Sequence, residues 1–363
     1  MRQQPGGSAR DLEPRRQIRF CTMPGDVRVA YATVGRGPAL VLPAAWISHL
    51  ELQWQDPAIR RFMLALARHR TVVQYDRPGC GLSDAWPERQ TLDTSVELLR
   101  GVVDHLELDR FDLLGISEAG AVSLAFAARQ PDRVAGLVVY GGYADGHQIA
   151  TPDVRTAMIG MVRAHWGLGS DVLADVFLPD ASAETKAHFA RQQRHSTTAE
   201  FASELLAQCY EVRVDDLLDQ VKTPTLVLHR RADRAIPYRL GRDLAARVPG
   251  ARLVSLAGRS HFPYAGDEAS VVRAILEFLG ETVPAVPSGL TPRQLEVAAL
   301  VAEGLTNREI AQRLGIEDRS AEGHVERIRR RLGVTSRAQI AVWWARGGHG
   351  DSPLPHGTPP LRY

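Results

Sequence analysis

The sequence predicts a three-layer α/β domain with a mostly parallel sheet and a helical cap, followed by a small all-α domain. Three observations carry this. Six short apolar runs recur between residues 39 and 258, most of them continuous rather than alternating, as strands buried on both faces are. Helical stretches separate several of these runs, which is the alternation of a parallel sheet. From Leu290 onward the pattern changes to closely spaced helices with their own start and stop signals.

The elements follow in chain order. Residues 1–16 are polar and rich in Arg and Gly, and disorder is expected there. The stretches RQIRFCT and VRVAYATV, separated by Met23, Pro24, Gly25 and Asp26, read as a β-hairpin. The buried runs are ALVLP (39–43), TVVQYD (71–76), FDLLGI (111–116), RVAGLVVY (133–140), TPTLVLHR (223–230) and ARLVSLAG (251–258). Between them lie helical stretches at Ile59–Ala67, Thr91–Leu106 and Ala119–Arg129. Residues 143–220 break the rhythm, lack clear strands and read as helices with loops, an insertion placed to cap a site. A helix over Glu268–Leu279, with Val271, Ile275, Phe278 and Leu279 inward, closes a domain expected to span 17–280. The prolines within GETVPAVPSG mark a linker at 281–289, and the Gly/Pro-rich residues 347–363 read as an unstructured tail.

Composition bounds the function. A chain of 363 residues suits two domains, and its net charge of only +2 implies no general affinity for polyanions. The charge is uneven, however. Residues 290–346 hold ten Arg against seven acids. The odd set Cys21, Cys80 and Cys209 is widely spaced and argues against a disulfide framework and against zinc, so no metal or cofactor is expected. No apolar run reaches the ~18–20 residues of a membrane span, and no signal-peptide core is seen, so no membrane partner is expected and the reducing cytoplasm is the expected home.

The segment 290–346 carries repeated capping signals. Thr291 with Gln294, Thr306 with Glu309 and Ser336 with Gln339 each form the reciprocal pattern of a helix start, and Pro292 suits a first turn. Gly304 and Gly315 sit where helices should stop. In a third helix over about 319–332, Ala321, Val325, Ile328 and Leu332 face inward, while Arg327, Arg329, Arg330 and Arg331 lie outward with Glu322, His324 and Glu326. A helix of this kind suits the major groove, and a solvated surface helix fits the same spacing. The stretch from LTPRQLEVAALVAEGL to RAQIAVWW resembles the LuxR-type helix-turn-helix over its full length. The resemblance implies DNA as partner, the third helix as reader, and usually a homodimer. It places Glu322, Gly323 and Glu326 at the positions that commonly meet bases, with Ser320, His324, Arg327, Arg330 and Arg331 completing the expected interface. Glutamate accepts from cytosine N4, whereas glycine reads nothing and costs about 1 kcal/mol in a helix interior. The family's serine cap is replaced by Glu317, which leaves capping to Asp318.

The run FDLLGISEAG sets Ser117 just after a buried strand and before an apolar helix. A serine nucleophile in such a sharp turn needs small residues two before and two after it, here Gly115 and Ala119. A serine that caps the next helix satisfies the same pattern. Asp233 follows the strand TPTLVLHR and His261 follows ARLVSLAG, so Ser, Asp and His come in that order, each just past a strand's C-terminal end. In this assignment Ser117 is the nucleophile, His261 the base and Asp233 its orienting partner. A surface acid and a loop histidine are the plain alternatives for the last two.

These residues resemble the α/β-hydrolase family over about 17–280, and Asp76-Arg77-Pro78-Gly79-Cys80-Gly81-Leu82-Ser83 looks like that family's loop after its fourth strand. More narrowly, WGLGSDVLADVFLP, YEVRVDDLL and TPTLVLHRRADRAIP are similar to hydrolase domains joined to signalling outputs such as adenylate cyclases. The resemblance implies an oxyanion hole with one N–H from Glu118 and a second from the loop Pro43-Ala44-Ala45-Trp46, supplied by Trp46 or Ala45. Trp46, His49 and Trp54 are candidates for pocket lining or for plain packing. The joined resemblances imply a transcriptional regulator whose hydrolase-like domain senses, or also hydrolyses, a small ester, lactone or acyl compound. The alternative is a working serine hydrolase with an accessory DNA-binding or dimerisation module.

Overall fold

The computed structural model describes residues 16–85, 90–281, 290–332 and 334–345. The expected disordered start, linker and tail therefore fall outside the described residues, apart from Arg16 and Glu281 at their inner edges. The chain divides into two compact units, residues 1–281 and 282–363.

In the first unit, strands β1 (Gln17–Met23), β2 (Val27–Val34), β3 (Ala39–Leu42), β4 (Thr71–Tyr75), β5 (Phe111–Ile116), β6 (Val134–Tyr140), β7 (Thr225–Arg230) and β8 (Arg252–Leu256) form one sheet. Their order is β1-β2-β4-β3-β5-β6-β7-β8. Strands β1 and β2 form the expected hairpin, β2 also pairs antiparallel with β4, and every other pairing is parallel. The continuous apolar runs are explained by burial on both faces. All six residues of β7 are buried, and Leu113 and Leu114 of β5 are fully enclosed. At the sheet edge β1 is half-exposed and leaves Phe20 open to solvent.

Helices α1 (Leu50–Gln55) and α2 (Pro57–Ala67) follow β3, with Asp56 capping α2 through the N–H groups of Ala58 and Ile59. Next come α3 (Leu92–His105), opened by a Thr91–Thr94 capping box, and α4 (Ala119–Arg129). Four consecutive helices, α5 (Pro152–Ala164), α6 (Trp166–Phe177), α7 (Ala183–Ser196) and α8 (Ala199–Glu211), make up the insertion expected at 143–220. Side chains of His165, Ser182 and Thr198 cap the last three. Helices α9 (Tyr238–Arg247) and α10 (Glu268–Phe278) complete the unit. Helices α2 and α10 pack together on one face of the sheet, and α3 with α4 and α9 cover the other. The chain steps outward from β3 in both directions, so the carboxyl ends of β3 and β5 flank the crevice where open parallel sheets hold their ligands.

The second unit holds α11 (Pro292–Ala302), α12 (Asn307–Leu314), α13 (Asp318–Leu332) and α14 (Arg337–Ala345). All three anticipated capping boxes form, with the Ser336 and Gln339 side chains each bonded to the other's backbone N–H. Gly315 ends α12 at φ +62°, a left-handed position that glycine takes without steric cost. Val297, Ala298, Ile310, Ala321, Ile328 and Ile340 form the buried centre. Among the described residues of both units, no helix is long and apolar enough to cross a membrane.

Candidate active site and nucleic-acid interface

The β5–α4 junction turns so sharply that Ser117 sits at φ +58°. Its N–H donates to Tyr140 O (2.8 Å), and its own carbonyl accepts from Gly120 N–H (2.9 Å). A side chain at 115 would lie 2.7 Å from Ala119 O and 2.8 Å from Gly120 Cα, which is why glycine stands there. The turn lifts Ser117 into a cavity of ≈ 100 Å³ that His261 also lines.

Asp233 and His261 arrive on the loops after β7 and β8. The Asp233 Oδ2 lies 2.8 Å from His261 Nδ1, while Oδ1 accepts from the N–H groups of Ala235 and Ile236. Both side chains are 1% exposed. Burial favours the neutral carboxyl, but the charge and hydrogen bond of His261 and the Ile236 N–H outweigh it and hold Asp233 below the usual carboxylate range. His261 Nε2 is buried with no hydrogen-bond partner among the described residues. With Nδ1 held by Asp233, Nε2 is the nitrogen left for a proton from a hydroxyl.

Glu118 follows the serine in the chain, and Trp46 lines the same cavity as Ser117. Among the described residues, neither Glu118 N–H nor Trp46 N–H has an acceptor. Trp46 takes φ +45°, an uncommon conformation for a bulky residue. Its indole N–H is fixed on Gln193 Oε1 at 3.0 Å, and Trp46 lines the cavity. His49 caps α1, and Trp54 lies under the Arg16 guanidinium at 4.7 Å, so these two are packing residues.

In the second unit, α13 turns Ala321, Val325 and Ile328 inward. Ser320, Glu322, Glu326, Arg327, Arg330 and Arg331 are exposed, and Gly323 and His324 are half-buried. Glu326 is paired with Arg329 at 3.0 Å, and Arg331 Nη1 donates to Gln294 Oε1 at 2.9 Å, so Arg331 also ties α13 to α11. The N–H groups of Ser320 and Ala321 bond Glu317 O, which makes Glu317 the backbone cap position. Asp318 instead lies in the first turn, where a carboxylate meets the positive end of the helix. At Gly323 the atoms nearest to an added Cβ all belong to the flexible Arg327 side chain, the first at 3.3 Å, so no backbone approach dictates the glycine.

Residues 38–267 match the model of the alpha/beta hydrolase fold, more than half of the chain. The chain belongs to the α/β-hydrolase fold family. Residues 288–344 match bacterial regulatory proteins of the luxR family, so the hydrolase domain is joined to a LuxR-type helix-turn-helix. Among similar proteins, the 2-hydroxy-6-oxo-2,4-heptadienoate hydrolase of Pseudomonas putida is 28% identical over 259 residues, covering 68% of this chain and 86% of that protein. The 2-hydroxy-6-oxononadienedioate/2-hydroxy-6-oxononatrienedioate hydrolase of Escherichia coli K12 is 26% identical, covering 57% and 76%. Of solved structures, the enol-lactonase of Burkholderia xenovorans LB400 is 25% identical with a TM-score of 0.61, covering 72% of this chain and 100% of that one.

Arg230 and His229 of the hydrolase domain's site were not singled out in the sequence, whereas the Asp76–Ser83 loop was. Arg230, fully buried, bonds Tyr140 Oη (2.8 Å), Ala257 O (2.7 Å) and Ala265 O, and so grips both sides of the loop that carries His261. His229 packs behind Asp233 with Nε2 on Ile236 O (2.9 Å), and burial lowers its pKa. Asp76, whose carboxyl burial pushes up, accepts from Leu50 and Leu82 N–H groups. Gly79 and Gly81 hold the Asp76–Ser83 loop against the cap, where Gly81 N–H bonds Ser196 O and Gly79 O accepts from Thr197. A charged residue in an apolar strand, as in TLVLHR, was the available signal for His229 and Arg230.

Proposed function

We propose that the protein is a DNA-binding transcription regulator whose α/β-hydrolase domain binds a small ester, lactone or other acyl compound at Ser117. One observation carries the reading. A single chain joins a luxR-family helix-turn-helix to a cavity that Ser117 and His261 share. Regulators of this type read paired half-sites, so the protein acts on DNA as a homodimer in the cytoplasm. The likeness to a heptadienoate hydrolase and an enol-lactonase favours acyl chemistry as the class the domain recognises.

The 2.8 Å Asp233–His261 bond favours turnover as well as binding. In that chemistry Ser117 Oγ attacks the acyl carbon while His261 Nε2 takes its proton, and the carbonyl π pair moves to oxygen. The N–H groups of Glu118 and Trp46 stabilise that oxyanion. Collapse breaks the bond to the leaving oxygen, which takes the proton from His261. Water then repeats the sequence to release the acid and restore Ser117. Hydrolysis of this kind clears the signal and resets the regulator. Electrophoretic shift on duplex DNA with and without acyl ligands tests the reading. A shift that responds to ligand is expected, and absence of any DNA affinity at low salt overturns it. Cleavage of p-nitrophenyl esters that is lost in Ser117→Ala separates turnover from binding alone.

A further inference from the structure

The wall of the Ser117 cavity specifies the ligand further, an inference that rests on the function proposed above. The lining is apolar and aromatic around the serine, with Trp46, Phe177, Phe189, Phe262 and Tyr264 among its members. Its polar members are Ser, Gln, Tyr and His. Among the described residues, no Asp, Glu, Lys or Arg lines it. A ligand carboxylate would find no lysine or arginine in this space, and His261 is already committed to Asp233, so its buried charge would go unpaired, which is strongly disfavoured.

Helix α7 supplies the second observation. Phe189, Gln192, Gln193 and Ser196 all line the cavity at i, i+3, i+4 and i+7, so one face of the cap helix looks onto it. Gln193 is occupied by Trp46 Nε1 and Ser170 O, and Ser196 Oγ donates to the Gln192 backbone carbonyl. The Gln192 side chain differs. It is 7% exposed, its Nε2 is buried, and it has no hydrogen-bond partner among the described residues. Buried amides are usually paired, and of the unpaired ones among the described residues (Gln90, Gln192 and Gln208) Gln192 is the one in the cavity wall, which makes it the candidate donor to a ligand atom.

We infer that Gln192 is a specificity residue and that the ligand is an uncharged acyl compound carrying a second hydrogen-bond acceptor beyond its reactive carbonyl. The reactive carbonyl lies at Ser117, the chain between passes along the aromatic wall, and the distal oxygen accepts from Gln192. The amide donates to a neutral oxygen without needing a counter-charge.

Three ethyl esters of matched length test this on the intact chain carrying Ser117→Ala, which binds without cleaving: ethyl 5-oxohexanoate, ethyl hexanoate and monoethyl glutarate. Dissociation constants are read by calorimetry near neutral pH. The keto ester is expected to bind roughly tenfold tighter than ethyl hexanoate. It should bind at least about a hundredfold tighter than the carboxylate. Adding Gln192→Met should bring the ratio of keto ester to hexanoate close to one, while the ratios on the Ser117→Ala chain itself need no further variant to fold. Equal binding of keto ester and hexanoate, or tighter binding of the carboxylate, overturns the inference and leaves the proposed function standing. Binding of none of the three at millimolar concentration overturns both.

Discussion

Arg77 and Glu118 form a buried ion pair, Nη2 to Oε2 at 2.8 Å, and the same Nη2 reaches Ala44 O at 2.9 Å. Neither side chain exceeds 3% exposure. Glu118 follows the serine, and Ala44 precedes the Ala45-Trp46 pair, so one guanidinium joins the two backbone segments whose N–H groups flank the cavity. A buried pair is weak evidence for stability in itself, because desolvation offsets the attraction. Its effect here is to fix two loops relative to each other.

Removing one partner strands the other charge. Arg77→Ala is expected to cost about 3–5 kcal/mol in urea unfolding. The double substitution Arg77→Met with Glu118→Met should recover most of that loss, because no buried charge remains. Equal losses in the single and double variants would show that packing, not charge, holds the loops.

Gly115→Ala places a methyl within 2.8 Å of Ala119 O and Gly120 Cα. Overpacking of this kind costs about 1–3 kcal/mol and forces the turn to shift. Slower labelling of Ser117 by a fluorophosphonate should accompany the lower urea midpoint. Wild-type stability and labelling would mean that β5 and α4 approach each other less tightly than the geometry implies.

Much of this was legible in the sequence because it is local. Continuous apolar runs located the parallel strands, since strands buried on both faces have no polar alternation to lose. The threonine and serine capping boxes located α11, α12 and α14 because both partners lie within one turn. The start of α2 at Pro57 had a usable signal in Asp56-Pro57, which a search for apolar periodicity passes over. Helix α9 was missed because Gly241 interrupts YRLGRDLAAR; that glycine lets the helix approach His229, where a Cβ would lie 2.1 Å from Nδ1. The Arg77–Glu118 pair and the orphaned Gln192 depend on residues 41 or more positions apart or on the cavity itself, and no periodicity carries such information.

The depressed Asp233 pKa makes stability depend on pH with a defined sign. A carboxyl held below its unfolded value, about 3.9, contributes stability that is fully present above that pH. The contribution is lost as pH falls through the native value. The stability difference between wild type and Asp233→Asn should therefore be constant above about pH 5 and shrink in more acid solution. Urea unfolding across that range reads it, and a difference that grows on acidification would contradict the assignment.

Gly323 is a glycine in a helix interior whose three nearest would-be Cβ neighbours all belong to the flexible Arg327 side chain. Gly323→Ala should stabilise the helix-turn-helix by about 0.5–1 kcal/mol, seen as a higher melting temperature for that unit in calorimetry of the intact chain. A lower melting temperature would indicate that the glycine relieves a contact in α13.

The most direct test is retention of genomic DNA fragments by the purified intact chain, sequenced with and without an acyl ligand that occupies the Ser117 cavity. Arg327→Ala with Arg330→Ala serves as the reference, and each lost arginine should lower the salt slope of binding by about 1. Discrete enriched sites that vanish in the double variant and change occupancy when ligand binds are expected. Retention no greater than that of the double variant, or occupancy indifferent to a ligand known to fill the cavity, would contradict a regulator built on a hydrolase-shaped sensor.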